Sequence, residues 1–191
     1  MGILWLQRHA RPLVPAGQCY GRSDLVADAH ATVQAAQAMA TAWHAEGHRP
    51  MQLWHSPLQR CQQLAHALQS STQVSAMHGR ADLVEMDFGT WEGRPWDDIA
   101  LAELDAWTTD FWAYAPGHGE SLSRMMERVS RALARARTHI ATHQQPLVWI
   151  THAGVIQCVH WLVTRRGDRP SAKEWPSIHV GYGEWICLPL R

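Results

Sequence analysis

Two short apolar runs in this chain each end two residues before a side chain of a type common in binding and catalytic sites. The run at residues 3–6 is followed by Arg8 and His9, and the run at residues 147–150 is followed by His152. Short apolar runs bounded by turns are typical of buried strands, and α/β proteins place their sites where such strands end. The sequence therefore predicts a single site shared by two strand ends.

Strand and helix patterns alternate along the whole chain. Strands are predicted at residues 3–7, 52–55, 74–77, 147–151 and 185–188, and helices at residues 29–46, 56–68, up to Trp107, 121–143 and from Gly154. This alternation indicates a three-layer α/β/α sandwich with a mostly parallel central sheet. Residues 1–191 are predicted to form one domain, in which the irregular segment at about 83–120 is a candidate lid.

The composition excludes several classes of protein. Seventeen basic residues balance seventeen acidic ones, so bulk charge favours neither nucleic acid nor an anionic membrane as a partner. No apolar run approaches the roughly 20 residues that span a bilayer, and the first residues lack the pattern of a signal peptide. The four cysteines are widely spaced, which indicates reduced thiols. A cytoplasmic protein is predicted.

The strand ends gather cationic and imidazole side chains. Arg8 and His9 follow the first strand, Arg60 lies one turn into the helix after the second, and His152 follows the fourth. Two guanidinium groups fit a compact dianion such as phosphate, because arginine stays charged and its fork of N–H groups matches phosphate oxygens. The same cations disfavour imidazolium, so at least one histidine should be neutral and nucleophilic.

A neutral imidazole can attack phosphorus and form a phosphohistidine, which water then hydrolyses. The leaving alcohol needs a proton in the first of these steps. Glu85 is the candidate acid because a phosphate dianion beside a carboxyl favours its protonated form, and Asp87 is the local alternative. This chemistry needs a phosphomonoester substrate but no metal, and no cofactor is predicted.

Five motifs, in the same order along the chain, resemble the histidine phosphatase superfamily, the phosphoglycerate-mutase-like fold. They are Arg8-His9-Ala10, Ser56-Pro57-Leu58-Gln59-Arg60, residues 83–93, Gly119-Glu120-Ser121 and His152-Ala153-Gly154. The resemblance covers nearly the whole chain. It implies that His9 is the nucleophile, that Arg60 binds phosphate and that Glu85 is the proton donor. Ala10 stands where the family usually has glycine, which bears on how closely the backbone approaches the phosphate.

Three runs, at residues 19–25, 87–93 and 116–121, resemble the α-ribazole phosphatases of cobalamin biosynthesis. That subgroup removes the 5'-phosphate of α-ribazole phosphate or of a phosphorylated corrinoid. The resemblance places Arg22 at the pocket entrance. Broad-specificity and sugar-phosphate phosphatases share much of this pattern and are the main alternatives. A phosphoglycerate mutase is disfavoured because mutases are usually longer, and a non-catalytic phosphate-binding protein is disfavoured by the complete catalytic set.

Several further residues admit two interpretations. The pairs His44 with His48 and His139 with His143 have the spacing of metal ligands on one helical face, but lack a convincing third ligand. We therefore expect solvent-exposed histidines near helix C-termini. The tryptophans are expected mostly in the core. Trp91 and Trp96, in the candidate lid, could instead stack on an aromatic base of the substrate.

Overall fold

The computed structural model describes residues 2–47, 50–165, 168–175 and 178–190. Five strands and five helices follow one another as β1 (Gly2–Arg8), α1 (Ala29–Ala45), β2 (Met51–His55), α2 (Gln59–Ser71), β3 (Val74–Gly79), α3 (Leu101–Thr109), α4 (Leu122–His143), β4 (Leu147–Thr151), α5 (Ala153–Thr164) and β5 (Trp185–Leu190). The predicted fold class is confirmed, and the strand predictions differ from the structure by two residues or fewer at each end.

The five strands form one sheet in the order β3-β2-β4-β1-β5. The pairs of β1 with β4, β4 with β2, and β2 with β3 are parallel, and the edge strand β5 is antiparallel to β1. In the register of β1 with β4, Arg8 lies opposite Thr151. His9 and His152 follow these two residues, so they leave the sheet side by side at the carboxyl ends of the parallel strands.

Alternate residues of the central strands enter two different cores, because successive strand side chains point to opposite faces. Leu4, Leu6 and Trp149 belong to the core beneath α4 and α5. Trp5 and Val148 belong to the core beneath α1 and α2. The sheet is thus covered by helices on both faces, which is why its central strands are almost entirely apolar.

The start of α2 differs from the sequence-based prediction. The helix was predicted to begin at residue 56, where a serine followed by proline is a favourable N-cap, but α2 begins at Gln59. The Ser56 hydroxyl lies instead against His152, and Asp24 of the loop after β1 accepts hydrogen bonds from the Gln59 backbone N–H at 2.6 Å and from its side-chain amide at 3.1 Å. At α4 the prediction agrees with the structure, because Ser121 accepts a hydrogen bond from the Arg124 N–H.

The candidate lid is built mainly from single turns of 3₁₀ helix and α3. It packs around an aromatic cluster separate from the two main cores, with Trp91 and Ile99 buried at its centre beside Cys19 of the loop after β1. Its role as a lid stays a prediction, as does the assignment of the chain to one domain.

The histidine pairs are only partly described by the structure. His48 lies outside the described residues, and His44 is exposed as predicted. His139 is half-buried, contrary to the prediction, because its ring packs edge-on against Trp54 and its Nε2 bonds to the side-chain oxygen of Gln52. Among the described residues no group of three metal-ligating side chains is found. No helix in the same part of the chain has the length and apolar character to cross a membrane.

Candidate active site

His9 follows β1 and is almost completely buried, at 2 % exposure. Its Nδ1 lies 2.7 Å from the carbonyl oxygen of Ala10. Because a carbonyl only accepts hydrogen bonds, Nδ1 carries the ring proton and Nε2 carries the free electron pair. Arg60 Nε donates to that Nε2 at 3.3 Å. The Ala10 carbonyl therefore decides which ring nitrogen of His9 keeps a free electron pair, and that nitrogen faces a guanidinium group.

The alanine at position 10 fits this arrangement without backbone strain. Ala10 is 1 % exposed and is not among the residues with positive φ. The backbone here is in a region that any L-residue adopts, so the conformational freedom of glycine is not required. What position 10 contributes to His9 is its carbonyl group, which every residue type has.

Arg60, from the first turn of α2, is completely buried. Its Nη2 donates to the carbonyl of Gly21 at 2.6 Å and its Nη1 to the carbonyl of Ser23 at 2.7 Å. A guanidinium has five N–H groups, so these two bonds and the one to His9 leave two for a substrate. Arg60 thus connects the loop after β1 to His9 and keeps N–H donors free of these bonds.

His152 follows β4, stands at the N-cap of α5 and is completely buried. The centroid of its ring lies 5.1 Å from that of His9. Its Nε2 lies 2.9 Å from the Ser56 hydroxyl and 3.5 Å from the Cys61 sulfur. Its Nδ1 is buried and has no hydrogen-bond partner among the described residues. Of the two ring nitrogens, Nε2 is therefore held by neighbouring side chains, whereas Nδ1 has its hydrogen-bonding capacity unused among these residues.

Arg8 and two tyrosines cover the same site. Arg8 Nη1 donates to the carbonyl of Val180 at 3.0 Å, and the guanidinium lies over the Tyr182 ring, 3.9 Å from its centroid. The Tyr182 hydroxyl lies 2.6 Å from that of Tyr20. Arg8 Nε is buried and has no hydrogen-bond partner within the described ranges of the chain. Tyr182 was not predicted as a site residue, although its position between Gly181 and Gly183, just before the last strand, marks a tight turn.

Burial lowers the pKa of both histidines well below the ordinary value. For His9 the largest cause is desolvation and the next is the positive charge of Arg60. For His152 desolvation is again the largest cause, followed by repulsion from His9 and from Arg60. Both rings are consequently neutral near pH 7, as nucleophilic attack requires.

Acid should destabilise the fold through these two histidines. Their folded-state pKa values lie below the ordinary 6.5, so the unfolded chain binds protons first as the pH falls. Together the two histidines should lower the free energy of unfolding by up to about 2.7 kcal/mol for each pH unit below pH 6.5. Urea unfolding between pH 5 and 7 measures this slope. His152→Gln should reduce this slope by the contribution of one histidine, because one proton fewer is taken up on unfolding. The exposed His66→Gln is the control and should leave the slope unchanged. Equal slopes for both variants would contradict the assignment.

Glu85 lies in the loop after β3 and bonds to the start of α5. One carboxylate oxygen accepts from the Gly154 N–H at 2.9 Å, and the other accepts from the Met86 N–H at 2.9 Å. A Cβ at position 154 would overlap the carboxylate, so only glycine permits this approach. Gly154 is two residues after His152, so Glu85 is held to the same helix start as the second histidine.

Two cavities border Glu85. The smaller, of about 170 Å³, is mostly apolar, with aromatic rings from the candidate lid and the C-terminal segment. Its lining includes Tyr20, Phe88, Trp107, Phe111 and Trp175. The larger, of about 520 Å³, is bordered by six charged side chains and is called the polar cavity below. Its lining includes Arg22, Asp87, Glu120 and Arg124.

Arg22 and Asp87 lie together in the polar cavity. The Arg22 side chain is 68 % exposed, and its Nη1 lies 3.5 Å from a carboxylate oxygen of Asp87. The other oxygen of Asp87 accepts from the Gly89 N–H. Of these two cavities, Asp87 lines the polar cavity alone, whereas Glu85 lines both.

Glu92 is a residue whose role the sequence analysis missed. Its carboxylate accepts hydrogen bonds from the backbone N–H groups of Arg22 at 2.8 Å, Ser23 at 2.6 Å and Phe88 at 3.0 Å. It also accepts from the Ser23 hydroxyl. Glu92 thereby fixes the loop whose carbonyls hold Arg60. The signal was present in the run at residues 87–93, but nothing local identifies the loop after β1 as its partner.

The two tryptophans proposed to stack on a substrate occupy different surroundings. Trp91 is completely buried, with its ring packed against Trp96, Trp107 and Tyr114, so it offers no face to a substrate. Trp96 lines a separate open cavity next to Tyr182. The stacking hypothesis is therefore wrong for Trp91, because its ring serves as the core of the candidate lid.

The chain is similar in sequence and in fold to known phosphatases. Residues 4–188 match the family model of the histidine phosphatase superfamily, branch 1. The adenosylcobalamin/alpha-ribazole phosphatase of Salmonella typhimurium is 28 % identical over 148 residues, which are 72 % of this chain and 70 % of the relative. The crystal structure of the alpha-ribazole phosphatase from Shigella flexneri superposes with a TM-score of 0.76 at 26 % identity, covering 99 % of this chain and 91 % of that one.

A mycobacterial glucosyl-3-phosphoglycerate phosphatase superposes with a TM-score of 0.80 at 23 % identity, covering 99 % of this chain and 93 % of that one, which shows a common fold alone. The matched residues include the ends of β1 and β4, the start of α2 and the loop after β3 that contains Glu85. The chain belongs to branch 1 of the histidine phosphatase superfamily and is a hydrolase of that superfamily, with a phosphomonoester as its class of substrate.

Proposed function

We propose that the chain is a phosphomonoesterase in which His9 Nε2 attacks phosphorus while Arg8, Arg60 and His152 bind the phosphoryl oxygens. The observation that carries this is a pair of buried nitrogens, Arg8 Nε and His152 Nδ1, that have no partner in the part of the chain that the structure describes and lie beside a neutral His9. Polar groups in a protein interior are rarely left unpaired, and a phosphoryl group would accept hydrogen bonds from both. Since the guanidinium groups neutralise the dianion, the proposed mechanism uses no metal.

In the first step the Nε2–P bond of His9 forms and the P–O bond to the alcohol breaks. The leaving oxygen takes a proton from Glu85, which is held beside His152 through Gly154. In the second step water attacks the phosphohistidine and gives a proton back to Glu85, so the carboxyl and the free imidazole are both restored. The products are the alcohol and inorganic phosphate.

Glu85→Gln should slow hydrolysis in a way that depends on the leaving group. The amide cannot supply a proton, so turnover of an alkyl phosphate should fall by about 10²- to 10⁴-fold. The first step with 4-nitrophenyl phosphate should slow far less, because nitrophenolate leaves without a proton. Single-turnover release of the alcohol or of nitrophenol measures this first step for both substrates, apart from the second step in which Glu85 accepts a proton from water.

Two variants control this experiment. Glu127→Gln changes an exposed carboxylate on α4 and should leave both rates unchanged. Asp87→Asn tests the alternative acid. A leaving-group dependence that appears with Asp87→Asn and not with Glu85→Gln would transfer the acid role to Asp87.

We propose that the substrate is α-ribazole 5'-phosphate or a phosphorylated corrinoid. The α-ribazole phosphatases among the similar proteins support this, as does the aromatic cavity beside Glu85, where the leaving group of the substrate would lie. Aromatic side chains favour a flat apolar ring such as a benzimidazole. The polar cavity with Arg22 and Arg124 favours a second candidate, a sugar-phosphate phosphatase.

A panel of phosphomonoesters separates the two candidates. We expect kcat/KM for α-ribazole 5'-phosphate to exceed that for small sugar phosphates. Phe111→Ala should reduce this preference about tenfold by removing an aromatic wall of the cavity, whereas Phe111→Leu should keep part of it. A higher kcat/KM for sugar phosphates, or an unchanged preference in Phe111→Ala, would favour the second candidate. Transfer of phosphate between hydroxyls of one substrate, without release, would indicate a mutase.

A further inference from the structure

Ser56 lies against the second histidine and does not line either of the two cavities described beside Glu85. It is completely buried at the end of β2, and its hydroxyl lies 2.9 Å from His152 Nε2. The direction of this hydrogen bond decides which nitrogen of the His152 ring carries a proton. That in turn decides whether Nδ1 is a donor or an acceptor.

The neighbours of the Ser56 hydroxyl determine the direction. Its oxygen accepts from the Leu58 N–H at 3.3 Å. The neighbouring Cys61 thiol donates instead to the carbonyl oxygen of Thr151, at 3.6 Å. The hydroxyl proton of Ser56 therefore needs an acceptor, and among the described residues His152 Nε2 is the acceptor within hydrogen-bond distance. A hydroxyl that donates to Nε2 satisfies both atoms of this contact.

If Nε2 accepts, the single proton of a neutral His152 lies on Nδ1. Nδ1 is the ring nitrogen with no partner among the described residues. As N–H it attracts a phosphoryl oxygen, whereas as a lone pair it would repel one. The tautomer thus changes the sign of the interaction between His152 and the substrate.

We propose that Ser56 is a positioning residue that holds His152 as the Nδ1–H tautomer, so that this ring donates a hydrogen bond to the phosphoryl group. The inference rests on the proposed function, because it takes the anion beside His9 to be a phosphoryl group. Ser56 acts through His152 and does not touch the substrate.

The wild-type protein tests the tautomer directly. In protein labelled with ¹⁵N-histidine, spectra that correlate ring nitrogens with ring protons separate the two tautomers, and comparison with His152→Asn assigns the signals. We expect the His152 proton on Nδ1 near pH 7. A proton on Nε2 would overturn the proposal whatever the variants show.

Activity measurements test the consequence. Ser56→Ala should lower kcat/KM by about 10- to 100-fold, the effect of a lost orienting hydrogen bond, and should allow the Nε2–H tautomer to appear in the spectrum. Ser56→Thr, which retains the hydroxyl, should recover most of the loss. Ser130→Ala, an exposed serine on α4, is the matched control and should have no effect.

A double-mutant cycle separates positioning from support of the fold. In the His152→Asn background the amide N–H has no tautomer to lose, so adding Ser56→Ala should cost less than about threefold. An equal loss in both backgrounds would indicate a purely structural role. His9→Ala separates failure of the proposed function from failure of the role of Ser56. If His9→Ala keeps its activity, the proposed function is wrong. If His9→Ala is inactive and Ser56→Ala is fully active, only the role of Ser56 is wrong.

Discussion

His9→Ala should reduce phosphate release by at least about 10⁴-fold, the scale expected when the nucleophile of a covalent mechanism is removed. The reason is atomic: the Ala10 carbonyl holds the His9 proton on Nδ1, so the electron pair of Nε2 is the one available at the site. His152 should not replace it, because its Nε2 is bonded to Ser56. Release of inorganic phosphate from 4-nitrophenyl phosphate gives the most sensitive readout.

A matched histidine elsewhere on the surface controls for nonspecific effects. His66 lies exposed on α2, and His66→Ala should retain wild-type turnover. Urea unfolding should show a cooperative transition for both variants, which separates loss of chemistry from loss of fold. Turnover by His9→Ala within about tenfold of wild type would exclude His9 as the nucleophile.

Arg60→Ala should lower both activity and stability. Its guanidinium bonds to His9 and to two backbone carbonyls, of Gly21 and Ser23. Loss of a preorganised donor to the phosphoryl oxygens should lower kcat/KM by about 10²- to 10³-fold. Loss of the carbonyl partners and of buried volume should lower the free energy of unfolding by about 2–4 kcal/mol. Steady-state kinetics and urea unfolding measure the two effects.

Arg60→Lys distinguishes charge from geometry. A lysine ammonium keeps the charge but cannot present the planar fork that reaches Gly21, Ser23 and His9 together. We therefore expect this variant to remain well below wild-type activity. Arg131→Ala, an exposed arginine on α4, should be neutral in both assays. Full activity in Arg60→Lys would mean that only the charge is used.

The sequence was sufficient to predict the positions of His9 and His152. Both follow short apolar runs, and the parallel pairing of β1 with β4 then brings them to the same edge of the sheet. Strand length follows from local patterns, but the adjacency also needs β1 to pair with β4, and the structure supplies that strand order. Glu85 was predicted from its motif. Its bond to Gly154 agrees with the proposed role but does not by itself establish it.

The interactions that the sequence could not predict are those between distant loops. Asp24 caps α2, and Glu92 binds the backbone of residues 22 and 23. Neither contact leaves a periodic or local signal, because each joins segments more than 30 residues apart. Ser56 was misassigned for the same reason: a serine before proline is a good N-cap by local rules, but His152 lies in reach of its hydroxyl only after the sheet has formed.

The placement of the aromatic residues was predicted only in part. The candidate lid contains the tryptophans that were considered for substrate contact, but tertiary packing buries Trp91 and leaves Trp107 and Phe111 on the wall of the apolar cavity. Aromatic residues close in sequence differ in exposure because the 3₁₀ turns of the segment follow no regular period. Sequence spacing alone could not choose among them.

Trapping of the phosphorylated protein tests the central claim most directly. The protein is mixed with a ³²P-labelled phosphomonoester, quenched in alkali within milliseconds, digested and mapped by mass spectrometry. We predict one acid-labile, alkali-stable phosphoryl group, located on His9 and absent from His9→Gln. A label on another residue, or full turnover with no label at any quench time, would contradict the phosphohistidine mechanism.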